Sequence, residues 1–170
     1  RLFGARAGAA NFDGPALKEA ADYCHKRGVK LYMTVNTLVR DEEMDEVYAV
    51  VREAVSAGID AAIVQDLGVA ALLRSCFPKL HLHASTQMAI ATARGAAFAR
   101  AAGMTRVVPA RECTLEEIQR IAQVGLEVEV FVHGALCVCY SGQCLLSSMI
   151  GGRSGNRGRC AQPCRLPYAI

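Results

Sequence analysis

Five of the chain's eight cysteines lie in one stretch near its end, between residues 137 and 164. They are Cys137, Cys139, Cys144, Cys160 and Cys164, and glycines and arginines separate them without a clear helical or strand period. Four thiolates on such a backbone can hold a tetrahedral zinc ion or an iron–sulfur cluster. A zinc ribbon favours two CxxC pairs, which this stretch lacks. The spacing therefore favours iron–sulfur and leaves zinc as the alternative.

The other three cysteines have different surroundings. Cys24 and Cys76 fall on apolar helical faces and are expected in the core, and Cys113 precedes a helix cap. The regular α/β pattern differs from that of small disulfide-rich secreted domains, so we expect free thiols and a cytoplasmic location. No apolar run approaches the ~20 residues that span a bilayer, and no membrane association is expected.

Positive charge is concentrated beside these cysteines. Residues 130–170 contain four arginines and no Asp, Glu or Lys, whereas the whole chain has a net charge of +3. The arginines are Arg153, Arg157, Arg159 and Arg165. Such a patch favours an anionic partner such as RNA or a phosphorylated small molecule, and a solvated loop is the simpler alternative.

The rest of the chain alternates strand and helix patterns. Apolar, β-branched runs occur at 29–39, 61–66, 79–86, 105–112 and 126–136. Helices are predicted between them from the cap at Asp13, the acidic start at 40–43, the capping box Thr114–Glu117 and the C-terminal glycine Gly58. This rhythm indicates βα units of a parallel sheet.

A barrel of eight such units takes about 250 residues. We therefore predict a partial TIM-like (β/α) barrel over 1–136, and a Cys/Gly/Arg-rich cluster-binding segment over 137–170 that continues the same domain. The chain begins without Met and stops within "LPYAI", so we expect a piece truncated at both ends. A doubly wound sheet is the alternative, although its glycine-rich fingerprint is absent.

Polar residues follow each predicted strand. They are Asn36; Gln65 and Asp66; Ser85, Thr86 and Gln87; Arg111 and Glu112; and His133. Parallel barrels place their chemistry at these carboxyl ends, so we expect one shared pocket. Helix capping would explain Ser85 and Thr86 without a pocket, but it would not explain Gln65, Arg111 or His133.

A peptidase needs a nucleophile or metal-bound water beside a base. The sequence has neither HExxH nor GxSxG, although a pair of His133 and Cys137 is conceivable. A cysteine nucleophile needs one reactive thiol, so five clustered thiols indicate metal ligation instead.

The segment "EVFVHGALC", continued by "YSGQCLLSS" and "GNRGRCAQPCR", closely resembles the signature of the peptidase U32 family, the collagenase-like peptidases. Upstream, "FGARAGAANF", "VNT", "QDLG" and "HASTQM" are similar to barrel segments of that family. The resemblance covers nearly the whole chain and implies two rival functions. One is proteolysis, including collagen degradation. The other is oxygen-independent hydroxylation by a protein that carries a [4Fe-4S] cluster.

For the hydroxylating relatives, the resemblance implies a transfer-RNA uridine, a ribosomal-RNA cytidine or the ubiquinone ring as substrate, with prephenate as the hydroxyl source in the RNA branch. By position, Cys137, Cys144 and Cys160 correspond to cluster ligands of the family. The fourth ligand is Cys164 or a cysteine beyond residue 170.

Our sequence hypothesis is a cytoplasmic iron–sulfur enzyme that hydroxylates RNA, with a peptidase or a ubiquinone-ring hydroxylation factor as alternatives. A small-molecule hydroxyl donor and a protein partner are further expectations. Catalytic groups would be His133, Arg111 and Glu112; substrate-binding groups Asn36, Gln65, Asp66, Ser85, Gln87, Arg153, Arg157 and Arg159; and metal ligands Cys137, Cys144, Cys160 and Cys164.

Overall fold

A parallel five-stranded sheet organises the chain. The computed structural model describes residues 3–6, 8–134 and 136–168. The strands are β1 (Tyr32–Val35), β2 (Ala61–Val64), β3 (His81–Ala84), β4 (Arg106–Val107) and β5 (Glu127–Val128). Each strand pairs with the next one along the chain, in the order β1-β2-β3-β4-β5. A doubly wound sheet would reverse that order at a switch point, so the observed order is that of a (β/α) barrel.

Helices precede, separate and follow these strands, and three of them begin or end at predicted signals. They are α1 (Gly14–His25), α2 (Met44–Ala57), α3 (Leu67–Cys76), α4 (Ala93–Ala101), α5 (Leu115–Ala122) and, after the last strand, α6 (Leu146–Gly151). The Asp13 carboxylate accepts from the Ala16 backbone N–H at 2.9 Å and caps α1. Thr114 and Glu117 form the predicted capping box of α5. Gly58 ends α2 with φ +101°, a conformation that glycine adopts without a Cβ penalty.

The strand register divides the sheet into two faces. One row crosses the first four strands through Val35, Val64, Ala84 and Val107, and all four are buried. These residues form the core with helix residues such as Val51, Leu73 and Ile121. Truncating a side chain such as Leu73 to alanine would cost about 2–5 kcal/mol, because a cavity adds to the lost transfer energy.

The neighbouring row faces the other way, because successive strand side chains alternate. It contains Thr34, Ile63, His83, Arg106 and Glu127. Four of these five residues are partly or fully exposed, and His83 is the buried one. The polar character of this row explains why the strands do not read as continuous apolar runs.

The predicted strand over 126–136 is wrong beyond Val128. Val130, Phe131 and Val132 are exposed, and Val132 is 94% exposed. The composition is that of a strand, but β4 ends at Val107, and its last backbone bond to this segment is accepted by the Val107 carbonyl from the Glu129 N–H at 3.0 Å. Strand propensity describes a fit to a paired, half-buried surface, and that surface stops here.

Residues 137–168, which we call the thiol segment, contain α6 and two short 3₁₀ turns, Gly155–Arg157 and Pro163–Arg165. The segment is fastened to the loop after β1, where the Leu38 N–H donates to the Asn156 carbonyl at 3.1 Å. Residues 169–170 of the predicted segment, like Ala7 and Ala135 of the quoted motifs, lie outside the described residues. Within the described ranges, every helix is too short or too polar to cross a bilayer.

Candidate functional site at the carboxyl ends of the strands

Three neighbouring strands bring polar side chains together where they end. The Asn36 amide donates to the Ser85 hydroxyl at 3.4 Å, linking the ends of β1 and β3. Between them, the Gln65 amide nitrogen donates to the Gln87 backbone carbonyl at 3.3 Å. Gln65 and Ser85 are buried, and the buried Gln65 side-chain oxygen has no hydrogen-bond partner among the described residues. The structure thus brings Asn36, Gln65, Ser85 and Gln87 together, although none of them is among the described lining residues of the two cavities reported below.

Asp66 has a local role instead. Its Oδ1 accepts from the backbone N–H groups of Gly68 at 2.8 Å and Val69 at 3.1 Å, which makes it the N-cap of α3. Ser85 also caps the 3₁₀ turn Thr86–Met88 by accepting from the Gln87 N–H at 3.1 Å. Capping accounts for the position of Asp66 after β2 without any ligand.

Arg111 connects the strand ends to the thiol segment. Its Nε donates to the Ser141 hydroxyl at 3.0 Å, and Ser141 is 3% exposed. The Arg111 guanidinium also lies 5.8 Å from the centre of the Phe131 ring. Sequence reasoning missed Ser141, because thirty residues separate it from Arg111 and no periodic pattern relates the two.

Gly142 of the thiol segment lies close against the backbone of the turn that follows β3. A Cβ added there would lie 2.2 Å from the Gln87 carbonyl oxygen, and its φ is +76°. Both observations require glycine at this position. The only signal in the sequence was a Ser-Gly pair between two cysteines.

Two cavities flank these strand ends. The larger cavity, of about 990 Å³, is lined by Arg153, Arg157, Arg159 and Cys160 among others. The smaller cavity, of about 490 Å³, is lined by Arg111, Phe131, His133 and Leu136 among others.

Of the predicted catalytic residues, Arg111 and His133 share the smaller cavity. Glu112 is exposed and is not among its described lining residues. Arg6, which sequence reasoning also missed, lines both cavities.

Arg157 is already paired. Its guanidinium donates to both carboxylate oxygens of Glu43 and, at 2.6 Å, to the Leu38 carbonyl. The hydrogen bonds from Arg157, and then that from the Arg40 backbone, lower the pKa of Glu43 from 4.5 to about 2. This ion pair fastens the thiol segment to the start of α2. Arg153 differs, since its Nε donates within the segment to the Arg159 carbonyl at 3.0 Å.

The eight cysteines are free thiols, as expected. Cys137, Cys160 and Cys164 are exposed and Cys144 is partly buried. Cys113 packs against the core, and burial raises the pKa of its thiol. The expectation of a core position for Cys76 is wrong, because Cys76 ends α3 on its exposed side while Leu73 faces the core.

The thiol segment has the donor chemistry of a cluster site without its assembled geometry. The Cys160 side chain and the Cys144 backbone carbonyl both lie close to Gly155, and the Gln162 N–H donates to the Cys160 sulfur at 3.3 Å. Among the described residues, however, no three His, Cys, Asp or Glu side chains come close enough together to hold a metal ion. The four thiols would have to converge further on loading.

A different polar cluster lies at the opposite, amino-terminal ends of the strands. A cavity of about 180 Å³ there is lined by Tyr32, His83, Arg106 and Glu127 among others. The Tyr32 and His83 rings meet edge-on with their centres 4.8 Å apart. Arg106 donates to Glu127 at 2.7 Å and to Glu129 at 2.9 Å. Burial, and then the Arg106 charge, lower the pKa of His83 from 6.5 to about 4.

Comparisons with solved structures agree with the fold. A U32 peptidase superposes with a TM-score of 0.61 at 14% identity, covering 76% of this chain and 55% of that one. The copper homeostasis protein CutC from Streptococcus agalactiae superposes with a TM-score of 0.54 at 16% identity, covering 72% and 71%. At these identities the likeness shows the fold alone.

Sequence relatives carry two kinds of name. The 23S rRNA 5-hydroxycytidine C2501 synthase of Escherichia coli K12 is 43% identical over 99% of this chain and 25% of its own length. The tRNA hydroxylation protein P1 of Bacillus subtilis strain 168 is 35% identical over 99% of this chain and 40% of its own. The collagenase of Porphyromonas gingivalis W83 is 36% identical over 94% and 41%.

The chain thus spans between a quarter and two fifths of the length of these relatives. The family described as Peptidase family U32 matches residues 1–170, from end to end. The U32 likeness inferred from the cysteine-rich motif is confirmed by this match. The chain belongs to peptidase family U32.

Proposed function

We propose that this chain forms the catalytic part of an enzyme that hydroxylates a base in transfer or ribosomal RNA. The observation that carries the proposal is the 43% identity, over 99% of the chain, to a relative named for making 5-hydroxycytidine in 23S rRNA. A second relative, equally well covered, is named for tRNA hydroxylation. A cytoplasmic location accords with such a substrate.

The site offers groups for each part of an RNA substrate. Arg153 and Arg159 in the larger cavity would contact phosphates, whereas Arg157 is neutralised by Glu43 and contributes less. Asn36, Gln65, Ser85 and Gln87 at the strand ends would contact the edge of an unstacked base. Asp66 is left out, because its carboxylate caps α3.

Arg111 and His133 are the proposed catalytic groups. Both line the smaller cavity, where a guanidinium would stabilise negative charge on the reacting ring and an imidazole would exchange a proton with it. Glu112 follows Arg111 but is exposed, so its catalytic role would need the substrate to approach from the rim.

A [4Fe-4S] cluster remains part of the proposal, held by Cys137, Cys144, Cys160 and Cys164. It would supply one-electron redox chemistry, and prephenate would supply the hydroxyl group. The Gln162 N–H, which donates to the Cys160 sulfur, would stay available to a ligand sulfur at that position. Anaerobic purification of the full-length protein with iron and sulfide counts tests the cluster. Zinc without sulfide would contradict it.

The function is tested by complementation. Escherichia coli strains that lack either the rRNA hydroxycytidine synthase or the tRNA hydroxylation protein would express the full-length protein, followed by mass spectrometry of digested RNA. We expect one hydroxylated nucleoside to return, and His133→Asn to reduce it about 100-fold or more. Wild-type protein that restores neither nucleoside would contradict the proposal. Restored ubiquinone in a separate strain that lacks anaerobic hydroxylation of the quinone ring would instead favour the ubiquinone alternative.

A peptidase is the second candidate, because one relative at 36% identity is named collagenase. A cysteine peptidase would need a thiol beside His133, and Cys137 is not among the described residues that line the smaller cavity with it. Gelatin cleavage by metal-free protein, abolished in Cys137→Ser, would favour this candidate over RNA hydroxylation.

A further inference from the structure

Arg6 occupies the junction of the two cavities. It lines the larger cavity together with Arg153 and Arg159, and the smaller cavity together with Arg111 and His133. Arg6 is exposed and follows the buried residues Phe3 and Gly4. A side chain that borders both spaces can contact a ligand that extends from one into the other.

The electrostatic character of both spaces favours an anion. The described lining of the smaller cavity contains two arginines and a histidine and no carboxylate. The larger cavity has four arginines against Glu43 and Glu46, and Glu43 is already engaged by Arg157. Clefts lined by one sign of charge concentrate counter-charges, so a polyanion would be drawn along this path.

The smaller cavity also has an aromatic wall. The Phe131 side chain is 59% exposed, although it is large and apolar, and Leu136 beside it is 64% exposed. Unstacked bases bind to exposed aromatic rings, and the neighbouring guanidinium of Arg111 reinforces such a stack. The volume of about 490 Å³ lies in the range of small-ligand pockets and suits one nucleotide.

We propose that the two cavities form one binding path for single-stranded RNA, in which Arg6 contacts the phosphate at the junction and Phe131 stacks on the base that enters the smaller cavity. This inference rests on the proposed function, and it assigns the entry of the substrate to two residues outside the predicted site. It also separates Arg6, Arg153 and Arg159 from Arg157, whose charge serves to fasten the thiol segment.

The phosphate contact is tested by salt-dependent binding of the full-length protein to a short single-stranded RNA. Each phosphate contact to a single strand contributes about 0.7 to the slope of log affinity against log salt. We expect Arg6→Ala to reduce that slope by about 0.7 and to weaken binding several-fold near 0.1 M salt. Arg6→Lys should keep the slope. Arg120→Ala, which removes an exposed arginine from the last turn of α5, is the matched control and should change neither.

The stacking contact has a different signature. Phe131→Ala should weaken RNA binding about tenfold without changing the salt slope, whereas Phe131→Tyr should bind like the wild type. Arg6 and Phe131 are both exposed, so the variants are expected to have the same thermal midpoint of unfolding as the wild type. Equal midpoints would show that the variants are folded.

The RNA-binding path and the proposed hydroxylation activity can be contradicted independently of each other. Arg6→Ala with the slope and affinity of Arg120→Ala would overturn the phosphate contact, and unchanged affinity in Phe131→Ala would overturn the stack, while RNA hydroxylation by the wild type could still hold. A wild type that binds RNA along this path but restores no hydroxylated nucleoside would leave the inference standing and remove the proposed function.

Discussion

The polar residues at the two ends of the sheet are held in place by different kinds of contact. At the amino-terminal ends, the polar residues all come from the strands: Arg106 binds Glu127 on the adjacent strand, and Tyr32 of β1 reaches His83 of β3 across the small residue Ala61 of β2. At the carboxyl ends, the corresponding contacts join loops and the distant thiol segment, as in the bond from Arg111 to Ser141. The first cluster is therefore fixed by the sheet, and the second depends on docking of a separate segment.

This difference indicates which end of the sheet can rearrange while the fold stays intact. Sheet positions are held by ladders of backbone hydrogen bonds and a common core, so they open only with the whole fold. The thiol segment is fastened at a few points, chiefly Gly142 against Gln87, Arg157 on Glu43 and the Leu38–Asn156 backbone bond. A segment held in this way can adjust its thiols without unfolding the sheet.

The largest effect is expected from Gly142→Ala. The added Cβ would overlap the Gln87 carbonyl oxygen at 2.2 Å, and φ +76° is strained for alanine. The two costs together are on the order of 3 kcal/mol, so the thiol segment should detach while the sheet remains. Hydrogen exchange should then accelerate in residues 137–168 and stay unchanged in the strands.

The matched control for that variant is Gly151→Ala, since nothing lies within 4 Å of a Cβ added there and its φ is not in the left-handed region. This variant should exchange like the wild type. Protection of the thiol segment that persists in Gly142→Ala would contradict the docking role of Gly142.

The second prediction concerns acid stability at the opposite end. The pKa of His83 is about 4 in the folded chain and near 6.5 when unfolded, so the unfolded state binds more protons between these values. The free energy of unfolding should fall as the pH drops from 6.5 towards 4.5, by about 2–3 kcal/mol. Below pH 4.5 the carboxylates add their own losses.

Denaturant titrations at pH 7 and pH 4.5 measure this loss. His83→Phe keeps a ring against Tyr32 and should remove most of the dependence, whereas His81→Phe, which replaces the exposed histidine at the start of the same strand, should retain most of it. An equal pH dependence in both variants would show that His83 is not the group responsible.

A smaller effect is expected from Arg157→Gln, which removes the ion pair with Glu43. Because the pair is bidentate and partly buried, we expect a loss of about 1–2 kcal/mol in docking of the thiol segment. In iron-free protein, the partly buried thiol of Cys144 should then react several-fold faster with a maleimide. Arg165→Gln, which removes another arginine of the same segment, should leave the rate unchanged.

The same pair has a predictable pH range. The pKa of Glu43 is lowered to about 2, so its contribution is complete above pH 4.5 and is lost as the pH falls from 4.5 to 2. This pH range lies below the range in which His83 affects stability. The losses at the two ends of the sheet can therefore be measured separately. Loss of docking already at pH 6 would contradict the assignment to Glu43.

The smallest effect is expected from Thr114→Ala, which removes the N-cap of α5. Loss of this cap should cost about 1 kcal/mol of overall stability, because the Glu117 N–H loses its acceptor. Thiol reactivity and RNA binding should not change, since α5 contacts neither cavity among their described lining residues. A changed thiol rate would show that the two regions are coupled through the helices.

The sequence was sufficient for features that are set locally. Asp13, Thr114 and Gly58 carry their signals within a few residues of the positions they cap, and the structure confirms each. The clustering of Asn36 with Ser85 followed from the rule that parallel strands end at one edge of a sheet. Repetition of one βα unit gave the strand order.

The rest depended on pairings that no local pattern encodes. Glu43 and Arg157 are 114 positions apart, and nothing in either neighbourhood indicates the other. Arg6 lies in a loop without periodicity, so its place at the junction of the cavities could not be read from spacing. Asp66 was misleading because a capping carboxylate and a ligand-binding carboxylate occupy the same position after a strand.

The close contact at Gly142 has a consequence for how this region can vary. Cys144 follows two positions later. Its distance from the turn after β3 therefore depends on a direct contact between two backbones, with no side chain between them whose size could change that distance. The loops on either side of the contact can accept insertions. The contact itself must keep its geometry, because it fixes where the chain starts towards the following cysteines.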